Sequence, residues 1–433
     1  MANYHLIIIG SGPGGYRAAE YAARQGLQVL IIEAGKAGGT CLNCGCIPTK
    51  AFCHDAELAM MGVEKDFSAV VERKNAIVEQ LRNGVETLMR SPGITLVYGK
   101  ATFKDANTIL VNGEEFTAEN IIIATGSHAK MLPIEGINLP HVMTSTELLD
   151  IDHVPQRLCI IGAGVIGMEF ASVFASFGSE VTVVEFMKEC LPTMDEDIAK
   201  RLRKQLEKRG VKFYLQSGVK AITKESVTFE RKGKEECIEA DIVLVATGRA
   251  ANIEGLGLEN IGIACGKQGI IVNPDTFEAL ATPTSHIYAI GDVNGRQMLA
   301  HAATFQGYRA VNHILGKADS IRFDIMPAAV FTNPEAACVG PTEEQLKAEG
   351  QPFDVHKGYY RANGKALTME ATEGLVKLFT DQTDRIIGCH ILGAHAADMV
   401  QEVAALMNRN ATLTELREAI HIHPTLGEIL QDL

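Results

Sequence analysis

Four of the ten cysteines, Cys41, Cys44, Cys46 and Cys53, fall within one short segment. It runs Gly38-Gly39-Thr40-Cys41-Leu42-Asn43-Cys44-Gly45-Cys46-Ile47-Pro48-Thr49-Lys50 before reaching Cys53. Clustered thiols exchange disulfides, hold zinc or an iron–sulfur cluster, or pack as small apolar groups. Cys41 and Cys46 are five residues apart, about one and a half turns of a regular helix. A disulfide between them therefore requires a distorted first turn, and Gly45 and Pro48 are consistent with one. A thiol at a helix N-terminus has a lowered pKa, which suits redox exchange. The other six cysteines, Cys159, Cys190, Cys237, Cys265, Cys338 and Cys389, have no paired spacing and read as small buried hydrophobes.

A second chemical pair lies near the C-terminus. Thiol–disulfide exchange needs a base for the attacking thiol and an acid for the leaving one. His423, with Glu428 five residues later, could supply both near neutral pH. Taken alone, a histidine beside a proline reads as structural. His421 reads as packing or surface.

The elements that must position these groups form an internal repeat. Residues 6–33 read as strand, glycine loop, helix, strand, and residues 158–185 read the same way. Gly10, Gly12, Gly15, Gly26 and Glu33 match Gly162, Gly164, Gly167, Gly178 and Glu185 at a constant offset of 152. Each half later carries an apolar strand ending in Ala-Thr-Gly, Ile121 to Gly126 and Ile242 to Gly248. The acid-to-Ala-Thr-Gly spacing is 91 residues in the first half and 61 in the second, so the half with the cysteines is longer. The stretch Asp55–Met89 reads as helical, as does His301–Leu315. Leu375–Phe379 and Ile386–Leu392 read as strands, and Asp398–Arg409 as an amphipathic helix.

Each glycine loop follows an apolar strand, opens a helix, and is followed 18 residues after its last glycine by an acid. Glycines there allow a tight turn and close approach of backbone to pyrophosphate, whose charge the helix N-terminus stabilises. The acid accepts hydrogen bonds from a ribose. At position 185 it also repels a 2′-phosphate, which favours NAD over NADP, and Phe186-Met187-Lys188-Glu189 offers no arginine cluster to reverse that. Two such sites imply two dinucleotides, and if one is NAD the other is expected to be a flavin. Gly291-Asp292 after a strand offers a carboxylate for flavin ribitol, or a helix N-cap.

The chain has 433 residues, and at about 150 per domain this suggests two to four domains. A net charge of −13 argues against a nucleic-acid partner. No basic region followed by a long apolar stretch opens the chain, and no apolar run reaches membrane-spanning length, so no signal peptide, no membrane association and a cytoplasmic setting are expected.

The cysteine segment resembles the redox motif of the pyridine nucleotide-disulfide oxidoreductase family, and the resemblance extends over essentially the whole chain. Further motifs that carry it are Gly12-Pro13-Gly14-Gly15-Tyr16, Leu191-Pro192-Thr193-Met194-Asp195, Phe331-Thr332-Asn333-Pro334-Glu335 and His421-Ile422-His423-Pro424-Thr425-Leu426. The resemblance implies an α/β fold with two Rossmann-like domains and a C-terminal α+β dimerisation domain. It places an FAD domain at 1–145, an NAD domain at 146–265, a central segment at 266–322 and a homodimer interface at 323–433. It implies Gly10, Gly12, Gly15, Glu33, Gly39, Thr40, Thr125, Gly126, Gly291, Asp292 and Ala300 around FAD, and Gly162, Gly164, Gly167, Glu185 and Gly248 around NAD. Cys41 would be the interchange thiol, Cys46 the charge-transfer thiol, Lys50 a flavin neighbour paired with Glu169, and His423 with Glu428 the acid–base pair serving the other subunit. No metal is implied. The implied reaction is oxidation of dihydrolipoamide by NAD, the substrate being carried on the lipoyl domain of a 2-oxoacid dehydrogenase or glycine cleavage complex. Glutathione-type and mercuric reductases are family alternatives, but the chain lacks the basic NADP residues of the first and the C-terminal cysteine pair of the second. A weakly catalytic flavin-binding interaction subunit is the alternative outside enzymology. Cys44 departs from the family pattern, where valine is common. It is either a small apolar substitute or a competitor for the disulfide.

Overall fold

In the computed structural model, residues 3–280 and 286–433 are described. The chain divides into two compact units. The first comprises Met1–Ala51, Val71–Lys130 and Gly248–Ile321, and the second Phe52–Val70, Met131–Thr247 and Arg322–Leu433.

The first unit is built on a seven-stranded sheet. Four parallel strands lie in the order Ile94–Tyr98, Val29–Glu33, Asn3–Ile9, Glu114–Ile123, and Ile287–Ala289 pairs parallel with the last of these. Thr108–Val111 and Ala101–Phe103 extend the sheet antiparallel. Leu6, Ile7, Leu30, Ile31, Ile121 and Ile122 are buried, as expected for parallel strands covered on both faces. The helix Pro13–Arg24 packs on the helix Ala300–Ile314 through small residues. A side chain at Gly14 would meet Ala303 O at 3.1 Å, and one at Gly307 would meet Gly14 O at 3.1 Å.

The second unit repeats this plan. Its parallel strands run Lys212–Tyr214, Glu180–Val184, Arg157–Ile161, Ile242–Val245, Val142–Met143. The order third, second, first, Ala-Thr-Gly strand is the same in both units, so the internal repeat is a repeat of topology. A three-stranded antiparallel sheet, Ser217–Ile222, Ser226–Arg231 and Lys234–Glu239, adjoins it. The C-terminal part is a five-stranded antiparallel sheet, with Ile386–Gly393 between Glu335–Val339 and Leu375–Thr380. The helix Ala396–Asn408 buries Met399, Val400, Val403, Ala404 and Met407 in the C-terminal core. The expected helix over 301–315 is present as Ala300–Ile314, whereas the stretch expected to be helical over 55–89 is divided between Cys46–Met60 and Phe67–Leu88, with a turn and loop at 61–66.

A buried charge cluster ties the second glycine-loop domain to this C-terminal sheet. Lys377, with a side chain 1% exposed, places Nζ 2.8 and 2.7 Å from the two Asp195 carboxylate oxygens and 2.7 Å from Glu343 Oε2. Burial would push the Lys377 pKa down, but Asp195 and Glu343 override it and hold it above the ordinary lysine value. Glu343, held by Lys347 and Lys377, falls to about 2. Its folded pKa is depressed, so its stabilisation is full above the ordinary carboxylate range and is lost as pH falls through about 2. Lys377→Met would leave the fully buried Asp195 carboxylate unpaired. The expected loss is about 3–5 kcal/mol of stability by urea denaturation, and a loss under about 1 kcal/mol would contradict this account.

Candidate active site

The two glycine loops set the frame of the site. Gly10 and Gly162 have φ +103° and +105°, and a side chain at either would strike the Ala124 or Ala246 carbonyl oxygen at 2.3 or 2.5 Å. These contacts lock each loop against its own Ala-Thr-Gly strand. A side chain at Gly15 or Gly167 would overlap the Gly10 or Gly162 oxygen, closing helix onto strand. Gly12 and Gly164 are different. They are the N-caps of the helices Pro13–Arg24 and Val165–Ser176, with no side-chain cap; a side chain at Gly164 would meet open space, and one at Gly12 only Gly39 Cα, at 4.0 Å. Uncapped helix N–H groups facing open space are what a pyrophosphate needs, so both loops fit a dinucleotide.

The two acids, expected from sequence to hold a ribose, accept hydrogen bonds from their own loops. Glu33 accepts from Ser11 N at 2.9 Å and Gly35 N at 2.7 Å. Glu185 accepts from Ala163 N and from Met187 N at 2.6 Å. The partners again differ by the offset of 152, so each acid also braces its own loop.

One difference between the repeats explains how the cysteines are placed. Ser11 stands where the second repeat has Ala163. Its hydroxyl donates to Glu33 Oε2 at 2.6 Å, and both its carbonyl and its hydroxyl accept from Gly38 N. Ser11 thus links the first acid to the redox segment. Comparing the two repeats residue by residue exposes this hydroxyl, which motif reading alone missed. Gly39 then adopts φ +63°, and a side chain there would come within 2.6 Å of Gly12 Cα. The cysteine helix Gly39–Cys44 therefore starts directly on the first glycine loop.

That helix breaks at Gly45, and the next, Cys46–Met60, starts at the second sulfur. The distortion inferred from spacing is this break. A side chain at Gly45 would press on Thr40 O at 2.9 Å and Cys41 Cα at 3.1 Å. Asn43 donates to Ala37 O and Gly39 O at 2.9 Å, and Thr49 caps the Gly45 carbonyl at 2.7 Å. Both residues position the sulfurs. Cys41 and Cys46 hydrogen-bond through their side chains. The expected lowering of the Cys41 pKa is not found. Its hydrogen bond to Cys46 pushes it up, burial and the charge of Cys46 add to this, and the Lys50 charge opposes it only weakly. Helix dipole alone would favour a Cys41 thiolate. In a close pair the first proton to leave makes the second harder to remove. Here Cys41 keeps its proton.

Around the proposed flavin region, Asp292 lies inside the short 3-10 helix Gly291–Asn294, not at an N-cap. Its Oδ2 accepts from Ser127 Oγ, and Arg249 Nε donates to the same hydroxyl at 2.6 Å. Neither Ser127 nor Arg249 was singled out from sequence. Both follow the Ala-Thr-Gly strands directly, a position that could have identified them. Thr125 and Gly126 bond to Asn252, and Ala300 opens the helix Ala300–Ile314 without a side-chain cap. Gly248, φ +106°, faces open space. Glu169 is buried and accepts from Phe331 N at 2.9 Å.

In the C-terminal segment, His423 Nδ1 lies 2.8 Å from Glu428 Oε1, and Glu428 Oε2 accepts from Thr425 N at 2.9 Å. The Thr425 amide, and then His423, lower the Glu428 pKa. The carboxylate is therefore ionised across the working range, and its effect fades only as pH falls through that lowered value. The His423 side chain is 80% exposed, with Nε2 left for a substrate.

Of the scattered cysteines, Cys159, Cys190 and Cys389 are buried and Cys338 half-buried. Cys237 and Cys265 are exposed, contrary to the sequence reading, because they lie on edge or loop segments. Among the described residues, no group of three or more His, Cys, Asp or Glu side chains is arranged to hold a metal ion, and no helix is long and apolar enough to cross a membrane.

Residues 4–307 match the family model described as pyridine nucleotide-disulphide oxidoreductase, and 326–433 match the dimerisation domain of that family. The chain is 39% identical to the mitochondrial dihydrolipoyl dehydrogenase of Pisum sativum, over 99% of this chain and 90% of the relative. It is 39% identical to the dihydrolipoyl dehydrogenase of Bacillus subtilis, over 99% and 96%. It is also similar to the HOCl-induced flavoprotein disulfide reductase RclA of Escherichia coli, solved as a Cu(II) complex, with TM-score 0.91, 33% identity and coverage of 100% and 99%.

Gly39→Ala would place a methyl group against Gly12 and strain a left-handed backbone, at a cost of about 1–3 kcal/mol before the clash is counted. The expected result is a folded protein that purifies with markedly less FAD. Full retention of FAD would contradict this view of the contact.

Proposed function

The chain belongs to the pyridine nucleotide-disulfide oxidoreductase family, flavoenzymes that use FAD and NAD(H), and on that premise we propose that it oxidises dihydrolipoamide to lipoamide with NAD as acceptor. The observation that carries the proposal is the Cys41–Cys46 pair, set at a helix break and docked on the first glycine loop.

In the proposed reaction His423, its Nδ1 held by Glu428, takes a proton from one substrate thiol at Nε2. The thiolate attacks Cys41 Sγ, the Cys41–Cys46 bond breaks, and Cys46 leaves as a thiolate. The second substrate thiol then attacks the mixed disulfide. Cys41 departs, taking the proton held by His423, which accepts the second thiol's proton in its turn, and lipoamide is released. The substrate loses one electron pair and the protein disulfide gains it. The protonated Cys41 beside a charged Cys46 is the arrangement this sequence leaves behind. The residues around Gly12, Glu33 and Asp292 would hold FAD, which when bound would supply the electron-pair chemistry between the sulfurs and NAD. Lys50 and Glu169 are assigned to orienting that region. The FAD domain is assigned to 1–145 completed by 266–322, the NAD domain to 146–265 and the dimer interface to 323–433. The setting is cytoplasmic, and the substrate arrives on a lipoyl carrier domain.

A second reading rests on Cys44. It lies one turn from Cys41, and the likeness to RclA makes reduction of another disulfide, or chemistry with Cu(II), the alternative.

Purified protein should reduce NAD rapidly with dihydrolipoamide and NADP at least tenfold more slowly, the expected cost of placing a 2′-phosphate against Glu185. Cys41→Ser should abolish turnover, and His423→Gln should lower it by roughly 10²–10⁴-fold. A yellow protein without dihydrolipoamide activity, but active in reducing Cu(II), would favour the second reading.

A further inference from the structure

His421, left without a role by the sequence, is tightly held. Its side chain is only 9% exposed, although Ile420 and Ile422 on either side are 98% and 79% exposed. Nδ1 lies 2.9 Å from the Ala419 carbonyl oxygen. Nε2 lies 2.9 Å from Glu402 Oε1 on the helix Ala396–Asn408. A carbonyl oxygen only accepts, and so does an ionised carboxylate. A ring protonated at both nitrogens would satisfy both acceptors.

The ring also supports the acid–base pair from behind. A side chain at Gly427 would meet His421 Cδ2 at 3.1 Å, so the ring packs against the backbone that immediately precedes Glu428. The Thr425 amide and His423 do most to lower the Glu428 pKa, and a charge on His421 would add to this. On its far side the segment is anchored by Asn363, which donates to Thr425 O at 3.0 Å. The loop carrying His423 is thus held at two points, and one is an ion pair to a rigid helix. The charged side chains that face the ring are Glu402 from the helix Ala396–Asn408 and Glu428 from the helix Glu428–Gln431, with His423 on the same loop.

We propose that His421, clamped by Glu402, is a positioning residue that fixes Glu428 and through it the orientation of His423. This rests on the reading of His423 and Glu428 as the acid–base pair. His421 does not touch the reacting sulfurs in this account. It sets the distance and the charge behind the carboxylate that does the orienting.

Three variants of the full-length holoenzyme test the idea, with FAD content and oligomeric state measured for each. His421→Ala removes both bonds and should lower kcat by roughly tenfold to hundredfold, the cost of a misplaced catalytic group, with FAD content unchanged. His421→Gln keeps an amide donor near Glu402 but removes a positive charge near His423. The acid limb of the kcat/KM profile should then move to higher pH by about half a unit, the effect of one solvated charge several ångströms away. Glu402→Gln should give a smaller kcat loss, and Glu402→Asp should restore part of it. A structural role alone would change thermal stability or dimer content without moving the acid limb. An unmoved limb in His421→Gln together with unchanged kcat in His421→Ala would overturn the proposal. If His421→Ala fails to fold, the limb in His421→Gln decides alone. His423→Gln is the control. Near-normal activity there would overturn the acid–base reading itself. A large loss there, with no effect at His421, would overturn only the present inference.

Discussion

The approach of Gly39 to Gly12 is the contact on which the redox site depends. Two backbones meet where neither residue carries a side chain, and one of them adopts a conformation that other residues reach only under strain. The consequence is that the cysteine helix begins on the loop whose free N–H groups suit a pyrophosphate. Sulfur and dinucleotide site are therefore built as one object. Ser11 reinforces this by bonding to Glu33 on one side and to Gly38 on the other. The second repeat, with Ala163 at that position, has the same strand order and the same acid bracing but carries no redox segment. A duplicated nucleotide-binding plan has been specialised in one copy by a hydroxyl and a close glycine contact.

The electrostatics of the two chemical pairs run in complementary directions. In the sulfur pair the hydrogen bond to Cys46, then burial, then the charge of Cys46 push the Cys41 pKa up, so that Cys41 holds its proton. The histidine pair keeps Glu428 ionised through a backbone amide and His423. One pair thus stores a proton and the other has a fixed anion against which a proton can be taken up. The Lys377 cluster is of another kind. Lys377 and Asp195 are buried together and join the second glycine-loop domain to the C-terminal sheet, so the cluster belongs to stability rather than to chemistry.

Much of this was legible in the sequence because glycine has few substitutes at crowded backbone positions. The offset of 152 between repeats appears in the fold as identical strand order, and the spacing of Cys41 and Cys46 as the break at Gly45. What stayed hidden depends on partners distant in sequence. The bond from Ser127 to Asp292 spans 165 residues, and the hold of Glu402 on His421 joins a helix to a loop. The direction of the Cys41 pKa was also misread. A helix N-terminus is a local feature, whereas proton sharing with Cys46 depends on how two helices meet. The exposure of Cys237 and Cys265 shows a similar limit, because residue type says little about position at a sheet edge.

The central claim is that Cys41 and Cys46 form a disulfide that exchanges an electron pair within the same molecule as the flavin. An anaerobic reductive titration, followed by absorbance, tests it most directly. The account predicts uptake of two electron pairs per chain, one at sulfur and one at the flavin, with a long-wavelength band after the first, and uptake of a single pair in Cys41→Ser. A wild-type protein that takes up only one pair, with no difference from Cys41→Ser, would contradict it.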